Sequence, residues 1–348
     1  MVSCRLLDEA TAPAWDRFVA AHPDATFFHQ AAWPGLIERV FGHRAYPVLA
    51  ERDGAVCGVL PLVHVRTRLF GNALASLPFC VYGGPLAADA EAARALETYA
   101  ADLQRRLAVP SLELRLRDGL PEGWLDDGAW ATRDGLYVTF RRPIAASDDA
   151  NLKAIPRKQR AMVRKGVDIG LRSEASRDAG KVWPVYAESV RNLGTPVFPR
   201  RWFEALLAAF PEDSDVVTIL DGEAPIAAVL NFYWRGEVLP YYGGGTALAR
   251  GRYGNDFLYW EVTRRAAARG CTGFDFGRSK AGTGAYAFKK NWGFEPKPLP
   301  YRYHLLPGAS IPDHNPLNPK YKAMIATWRR LPLPVANLLG PHIVRGLG

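Results

Sequence analysis

The chain has 348 residues, of which 48% are hydrophobic, and a formal net charge of +9. This length accommodates two ordinary domains and a tail, and this hydrophobic content excludes global disorder. The excess of positive charge favours phosphate-bearing partners, although many ordinary enzymes share it.

The expected compartment and cofactor class follow from motifs that the sequence does not contain. The four cysteines are scattered without a CxxC pair, and no His/Asp/Glu cluster has metal-ligand spacing. We therefore expect a reducing compartment, no disulfide framework and no metal. There is no apolar run of about 18 residues and no signal-peptide pattern, so we expect a cytoplasmic protein.

Taken in chain order, the predicted elements form a diffuse internal repeat with an offset of about 160 residues. The matching pairs are two hairpin patterns (53–63 and 221–233), two glycine-rich segments (80–88 and 240–248), two Ala-rich helical patterns (90–107 and 255–269) and two short strands (111–117 and 273–279). We predict an α/β (α+β) chain with two similar domains, 1–145 and 146–305, and a tail, 306–348. Chance similarity of two α/β units is the alternative.

Segment 151–171, NLKAIPRKQRAMVRKGVDIGL, predicts a basic helix that begins near Pro156 and ends near Gly166. Arg157, Arg160 and Arg164 share one face at helical spacing. The helix is either a solvated linker or an electrostatic arm for phosphates of a substrate.

Segment 191–203, RNLGTPVFPRRWF, is a rigid loop of Gly, Pro, aromatic and basic residues. Its Phe198 and Arg200 could wall an acceptor site, or the loop simply joins two helices. Tyr242 and Gly243, in the YYGGG run, either bring bare backbone to a substrate or form a β-bulge.

The next segment has the composition of a phosphate cradle. Arg250, Gly251, Arg252 and Gly254 precede a helix that Asn255 or Asp256 would cap. Free N–H groups at a helix N-terminus and the helix dipole attract anions, so we list Arg250, Gly251, Arg252, Gly254 and Asn255 as candidate cofactor-binding residues. A glycine-rich turn without a ligand is the alternative.

Segment 274–297, FDFGRSKAGTGAYAFKKNWGFEPK, predicts a strand, a turn and a short basic helix. Asp275 accepts a proton or hydrogen-bonds a neighbouring loop. Arg278 clamps a phosphate or carboxylate of the donor, or forms an ordinary ion pair. Lys289 and Lys290 are either a solvated pair or part of a site for an anionic or acyl substrate.

The order strand, glycine-rich loop, helix, strand, helix and GFE resembles the C-terminal half of the GNAT acyl-CoA N-acyltransferase fold. The repeat, the basic helix and FHQAAWPGLIERVFGH near the start resemble the FemAB-like proteins, which carry two such domains in tandem. Within that group, the chain is most similar to FemAB-related proteins associated with exosortase/PEP-CTERM systems in exopolysaccharide-producing bacteria. Three segments carry this similarity: WDRFVAAHPDATFFHQ, NLGTPVFPRRWF and DFGRSKAGTGAYAFKKNWGFEPKPLPY. The resemblance covers about residues 10–305.

This resemblance implies an N-acyltransferase. Better-known FemAB-like members transfer an aminoacyl group from aminoacyl-tRNA to an amine of a peptidoglycan precursor, and ordinary GNAT members transfer an acyl group from coenzyme A. The implied donor is therefore acyl-CoA or aminoacyl-tRNA, and the implied acceptor is an amine of a cell-envelope or exopolysaccharide precursor. The second domain is expected to bind the donor and catalyse, and the first to be structural or to form the acceptor side. DNA is not an expected partner.

The resemblance also assigns catalytic candidates. Many GNAT enzymes have a tyrosine general acid four positions before the glycine of this pattern, where this chain has Lys289. A lysine there could stabilise the oxyanion or leaving group as a cation, with Tyr286 on the same helical face and Asp275 as the third candidate. The departure makes acetyl-CoA chemistry less certain.

The tail alternates proline-rich, basic and apolar stretches. It either packs on the body or touches the inner membrane peripherally through Trp328, Leu331, Leu333 and the basic residues. A non-catalytic scaffold of an exopolysaccharide/exosortase assembly system is the alternative function.

Overall fold

The computed structural model describes residues 1–67, 71–118, 129–133, 135–312 and 319–347, with backbone only for 319–321. The chain forms two compact units. Unit 1 comprises Met1–Tyr137, Pro298–His314 and Arg345–Gly348, and unit 2 comprises Val138–Lys297 and Asn315–Val344.

Unit 1 is a mixed sheet with helices packed on it. Its strands are β1 (Ser3–Leu6), β2 (Arg44–Arg52), β3 (Ala55–Thr67), β4 (Gly71–Ser76), β5 (Leu86–Ala87), β6 (Ser111–Arg115) and β7 (Trp130–Arg133). Its helices are α1 (Ala12–Ala21), α2 (Ala32–Phe41) and α3 (Ala90–Arg106), with a 3-10 turn at Phe27–His29. Helix α3 begins at the capping side chain of Asp89 and buries Ala92, Leu96, Ala100 and Leu103 against the sheet, as helical spacing requires.

Unit 2 contains the next set of elements. Its strands are β8 (Tyr137–Pro143, whose first residue belongs to unit 1), β9 (Arg172–Ser176), β10 (Ser214–Asp221), β11 (Ala224–Trp234), β12 (Glu237–Gly245), β13 (Gly273–Asp275), β14 (Ser279–Lys280) and β15 (Pro296–Pro298). Its helices are α4 (Asp148–Ala154), α5 (Arg157–Asp168), α6 (Ala179–Leu193), α7 (Arg200–Ala209), α8 (Ala247–Gly251), α9 (Gly254–Ala268) and α10 (Gly284–Asn291). Its apolar core includes Phe140, Leu258, Phe274 and Trp292.

The two units repeat one topology. Including β16 (Tyr301–Leu305), the sheet of unit 1 has the order β1-β2-β3-β4-β6-β16-β7. The sheet of unit 2 has the corresponding order β9-β10-β11-β12-β13-β8-β14. In each, one parallel pair, β4 with β6 or β12 with β13, follows three antiparallel pairings. The predicted pair of similar α/β domains is therefore confirmed at the level of fold.

The position of β16 differs from the predicted boundary at residue 305. Tyr301–Leu305 pairs antiparallel with β6 and with β7, so the segment from Pro298 belongs to unit 1. Tyr301 is fully buried there, and its hydroxyl donates to the Val81 carbonyl oxygen at 2.7 Å. A pattern of local residues could not reveal this, because the strand completes a sheet that begins some 300 residues earlier.

The tail forms two helices, α11 (Pro319–Arg330) and α12 (Leu333–Val344), and residues 313–318 lie outside the described part. Both helices pack on α6 of unit 2. Ile325 lies against Gly194, and Gly340 against Val197. The packed alternative for the tail is thus confirmed for these helices.

Candidate functional site

Helix α10 places its two adjacent lysines, Lys289 and Lys290, in different environments. Its first turn is capped by Thr283, whose hydroxyl oxygen accepts the Tyr286 N–H at 3.4 Å. Lys289 is only 9% exposed, whereas Lys290 points to solvent. The interpretation of a solvated pair is therefore wrong for Lys289, because a hundred-degree step along the helix turns one side chain inward and the next outward.

The Lys289 ammonium is held by the loop that leaves β13. Nζ donates to the carbonyl oxygens of Phe276 at 2.6 Å, Gly277 at 3.0 Å and Arg278 at 3.2 Å. Three acceptors match the three protons of the charged form. The Phe276 and Phe140 rings lie 5.2 and 5.5 Å from Nζ and exclude water on that side.

Asp275 shapes the same loop and its electrostatics. Its buried carboxylate accepts the Gly277 N–H at 2.8 Å, and lies 3.7 Å from Arg141 Nε. Burial lowers the pKa of Lys289 to about 7, the Asp275 carboxylate opposes this, and the Arg278 cation adds to it. Of the two alternatives for Asp275, the structure shows the loop hydrogen bond. Arg278 is half-buried at the loop's end.

Tyr286 and Lys290 lie at the edge of this group. The Tyr286 ring packs edge-on against Phe140 at 5.5 Å, and Lys290 Nζ lies 6.0 Å from the Tyr286 ring. Lys289 and Tyr286 thus both border Phe140, as expected for one helical face.

The N-terminus of α9 forms a second part of the site. The helix begins at Gly254 with Tyr253 as N-cap at φ 58°, and the described residues supply no side-chain cap. The prediction that Asn255 or Asp256 caps it is wrong, since a left-handed Tyr253 turns the chain into the helix earlier than the polar residues suggest. Asn255 Oδ1 instead lies beside Gly245 at the end of β12. Helix α9 therefore begins without a capping side chain from the N-cap position, and its first turn carries the Asp256 carboxylate.

Basic side chains flank this helix end unequally. Arg252 makes a bidentate ion pair with Asp221, at 2.6 and 2.8 Å, and is therefore directed to the end of β10. Arg250 is exposed on α8, and no carboxylate partner for it occurs among the described residues. Lys165 of α5, which the sequence analysis did not select, places Nζ 5.2 Å from the Tyr253 ring. No sequence signal could reveal this pair, because 88 residues separate its members.

Helix α9 connects the two parts. Trp292, which follows α10, donates from Nε1 to Asp256 Oδ1 at 2.9 Å. The Tyr259 ring of α9 packs against Phe276, whose carbonyl holds Lys289, with 4.5 Å between ring centroids. The helix end and the lysine loop therefore belong to one packed body within unit 2.

The remaining candidates of unit 2 lie on other surfaces of it. Tyr242 packs against Phe198, 5.3 Å between ring centroids, so the structure brings these two together. A register shift at this point of β12 confirms the β-bulge, and a Cβ at Gly243 would lie 2.6 Å from Val229 Cβ. Arg200 is exposed and paired with Glu204 of its own helix.

Helix α5 runs to Asp168, two residues past the predicted end at Gly166. Gly166 lies inside the helix, where its bare Cα packs against Phe257 of α9. Arg157 and Arg164 are exposed, and Arg160 donates to the Lys153 carbonyl oxygen at 3.3 Å. Within the described residues these three arginines face no carboxylate, which leaves their charge available to an anion.

Unit 1 contains a cavity that the sequence analysis missed. It has a volume of about 210 Å³ and lies at the C-terminal end of β6, between segments 82–87 and 115–118. Its polar lining includes His22, His29, Arg115 and Arg117. His29 accepts the Thr26 N–H and donates to the Gly84 carbonyl oxygen, and burial lowers its pKa to about 4. The arginines in LELRLR at a predicted strand end were the available signal.

The described residues contain no group of three or more His, Cys, Asp or Glu side chains that could hold a metal ion. They also contain no helix that is long and apolar enough to cross a membrane.

Comparisons with known proteins agree with this architecture. Residues 151–290 match a family model described as the acetyltransferase (GNAT) domain. No curated protein sequence matches the chain.

Solved structures extend the likeness to both units. The crystal structure of FemX has a TM-score of 0.67 at 16% identity, over 87% of this chain and 97% of FemX. L-PGS from Bacillus licheniformis has a TM-score of 0.58 at 11% identity, over 93% and 97% of the chains. A tandem GNAT protein from the clavulanic acid biosynthesis pathway has 0.53 at 14% identity, over 87% and 98%. The chain therefore has the tandem GNAT-like, FemX-like fold.

Proposed function

We propose that the protein is an N-acyltransferase. It moves an acyl or aminoacyl group from acyl-CoA or aminoacyl-tRNA to an amine of a cell-envelope, peptidoglycan or exopolysaccharide precursor. The observation that carries the proposal is the buried Lys289 ammonium, held in a GNAT-like unit beside an uncapped helix N-terminus. The matching GNAT domain supports the reaction class.

The chemistry is direct attack of the acceptor amine on the activated carbonyl. The C–N bond forms as the bond from the carbonyl to the donor's sulfur or ribose oxygen breaks, and the leaving group takes a proton. Lys289 stabilises the oxyanion by giving up its longest hydrogen bond, 3.2 Å to Arg278, for the developing negative charge. Tyr286 supports the same face, and Asp275 holds the loop in place.

The donor's phosphates bind at the N-terminus of α9. The helix dipole, Arg250 and Lys165 favour negative charge there, and the Asp256 carboxylate of the first turn is held by Trp292. Gly251, Gly254 and Asn255 form the backbone of this cradle, and Arg278 contributes from the lysine loop. Arg252 supports the cradle indirectly through Asp221. The arginines of α5 bind the more distant phosphates of a long donor.

The acceptor binds in unit 1, in the cavity lined by Arg115 and Arg117. The Arg115 and Arg117 guanidinium groups, beside the neutral His29, suit a phosphate or carboxylate of an envelope precursor that would compete with their ion pairs to Glu113 and Asp118.

Phe198, half-buried against Tyr242 and two residues before Arg200, provides a further apolar surface for substrate in unit 2. Lys290 is placed to contact substrate at the edge of the Lys289 group, beside Tyr286.

Calorimetric titration with coenzyme A and a series of acyl-CoA thioesters tests the donor. We expect micromolar binding, weakened about tenfold or more by Arg250→Gln, because one charge-assisted hydrogen bond contributes about 1.5–3 kcal/mol. Arg94→Gln, an exposed arginine on α3 of unit 1, is the matched control. Unchanged affinity in Arg250→Gln would contradict the cradle.

A parallel titration with aminoacyl-tRNA distinguishes the two donors. Binding of aminoacyl-tRNA without any acyl-CoA binding assigns the tRNA branch. If neither donor binds, the enzyme proposal fails, and the protein is a non-catalytic scaffold or binding protein of an exopolysaccharide/exosortase assembly system.

With a productive donor, Lys289→Met separates catalysis from binding. We expect transfer to fall by about 100-fold or more while donor affinity stays within about threefold, because the ammonium acts on charge that develops only in the transition state. Lys290→Met should retain both properties. Full activity of Lys289→Met would contradict the catalytic role of Lys289.

A further inference from the structure

Helix α12 carries apolar side chains on both of its faces. Ala336, Gly340 and Val344 are buried, and Gly340 lies directly against Val197 of unit 2. The opposite face presents Val335, Leu338 and Leu339, at the i, i+3 and i+4 spacing of one stripe. These three side chains are 39%, 70% and 43% exposed.

Exposed apolar side chains also occur on α11 and at the end of α6. Arg329 of α11 donates to the Leu193 carbonyl oxygen at 3.2 Å, which places the end of α11 beside Leu193 at the end of α6. Leu193 and Met324 are 63% and 55% exposed. An apolar surface of this kind normally marks an interaction site on a protein.

The charged side chains of the segment that carries the stripe have one sign. From residue 319 to the end, the sequence contains two lysines and three arginines and no aspartate or glutamate. Lys322, Arg329 and Arg330 of α11 are exposed. Cations beside exposed leucines, without acidic residues, are the composition of a helix that lies on an anionic lipid surface.

We propose that α11 and α12 dock the protein on the surface of an anionic phospholipid bilayer, with Val335, Leu338 and Leu339 inserted at the headgroup level and the cations of α11 on lipid phosphates. A 12-residue helix is about 18 Å long, too short to span the hydrocarbon core, so it lies in the plane of the interface. The stripe replaces Trp328, Leu331 and Leu333, which are half-buried, as the contact surface.

A second copy of the chain fits this surface less well. In a two-fold dimer the same patch meets itself, and the cations of one copy would face those of the other without an acidic residue of the segment to pair with them. Lipid phosphates supply the missing negative charge.

Flotation of the full chain with vesicles tests the proposal without any donor or acceptor. We expect binding to phosphatidylglycerol/phosphatidylethanolamine vesicles, and at least about tenfold weaker binding to neutral phosphatidylcholine vesicles. Leu338→Gln/Leu339→Gln should weaken binding to the anionic vesicles about tenfold or more, and Lys322→Gln/Arg330→Gln, which removes two of the five cations of the segment, should reduce the salt dependence of binding. Circular dichroism and urea unfolding check that both variants stay folded.

Matched controls come from unit 1. Leu6→Gln changes an exposed leucine of β1, and Arg17→Gln/Arg94→Gln removes two exposed arginines of α1 and α3. Neither control should alter vesicle binding. Equal binding to both vesicle types, or undiminished binding of Leu338→Gln/Leu339→Gln, overturns the proposal. Self-association abolished by that variant, without vesicle binding, would reassign the surface to a protein interface.

Discussion

At the scale of single residues, Lys289 is buried although it lies in a basic segment and its neighbour Lys290 is exposed. Two opposing effects act on its charge: burial favours the neutral amine, and three carbonyl oxygens and Asp275 favour the ammonium. The net result is a lowered pKa of about 7, which places the titration of this group near physiological pH.

This pKa predicts a specific pH dependence of stability. Because the native state binds the proton of Lys289 less tightly than the unfolded state, its charging penalty is complete below pH 7 and declines as the pH rises toward the ordinary lysine pKa of 10.5. The free energy of unfolding of the wild type, relative to Lys289→Met, should therefore rise by about 2 kcal/mol between pH 7 and pH 9.

Urea unfolding of both proteins at the two pH values measures this difference. Lys290→Met, which changes the exposed neighbour, should show no such pH dependence relative to the wild type. A constant difference for Lys289→Met would mean that the carbonyl oxygens keep the Lys289 pKa at its ordinary value.

At the scale of elements, the basic helix α5 packs against α9. Gly166 lets α5 approach Phe257 of α9, and Lys165 then reaches the Tyr253 ring at the start of α9. The basic helix is consequently packed against the helix whose N-terminus is uncapped, rather than extended as a free linker.

If α5 binds a polyanion, its arginines should contribute to salt dependence. Arg157→Gln/Arg160→Gln/Arg164→Gln should weaken tRNA binding and reduce the slope of log K against log salt by about 2, since each phosphate contact contributes roughly 0.7 on a single strand. Fluorescence anisotropy between low and high NaCl concentrations measures the slope.

The control for this experiment removes the same charge elsewhere. Arg17→Gln/Arg94→Gln/Arg106→Gln, on helices of unit 1, should leave the slope within error of the wild type. Equal slopes for the α5 variant and the wild type would show that α5 is a solvated helix without a phosphate contact.

At the scale of the whole molecule, each unit is assembled from segments that are not consecutive along the chain. Strand β16 follows unit 2 in sequence and pairs with two strands of unit 1. Its Tyr301 packs against Tyr137, with 4.9 Å between ring centroids, and against the Arg115 guanidinium. Unit 1 therefore cannot complete its sheet until nearly the whole chain is synthesised.

Tyr301→Ala should accordingly destabilise unit 1 although the residue follows unit 2. Loss of a buried aromatic ring and its hydrogen bond costs about 3–5 kcal/mol. Hydrogen exchange should show faster exchange in β6 and β7, with β10 and β11 protected as in the wild type. Lys297→Ala, an exposed residue four positions earlier, is the control. Equal loss of protection in both units would contradict this assignment of β16.

The sequence by itself determined the repeated α/β pattern, the helix that carries Lys289 and the glycine-rich entry to α9. These features depend on local periodicity and composition, which each segment carries within itself. Segment resemblance likewise pointed to the tandem fold that FemX shares.

Only the tertiary structure decided which lysine is buried, that Arg252 turns to Asp221, that Lys165 reaches the start of α9 and that β16 closes the first sheet. The same holds for the cavity beside Arg115 and for the apolar outer face of α12. Each of these outcomes depends on partners that are distant along the chain, so the burial and electrostatic energies that decide them exist only after the elements have packed.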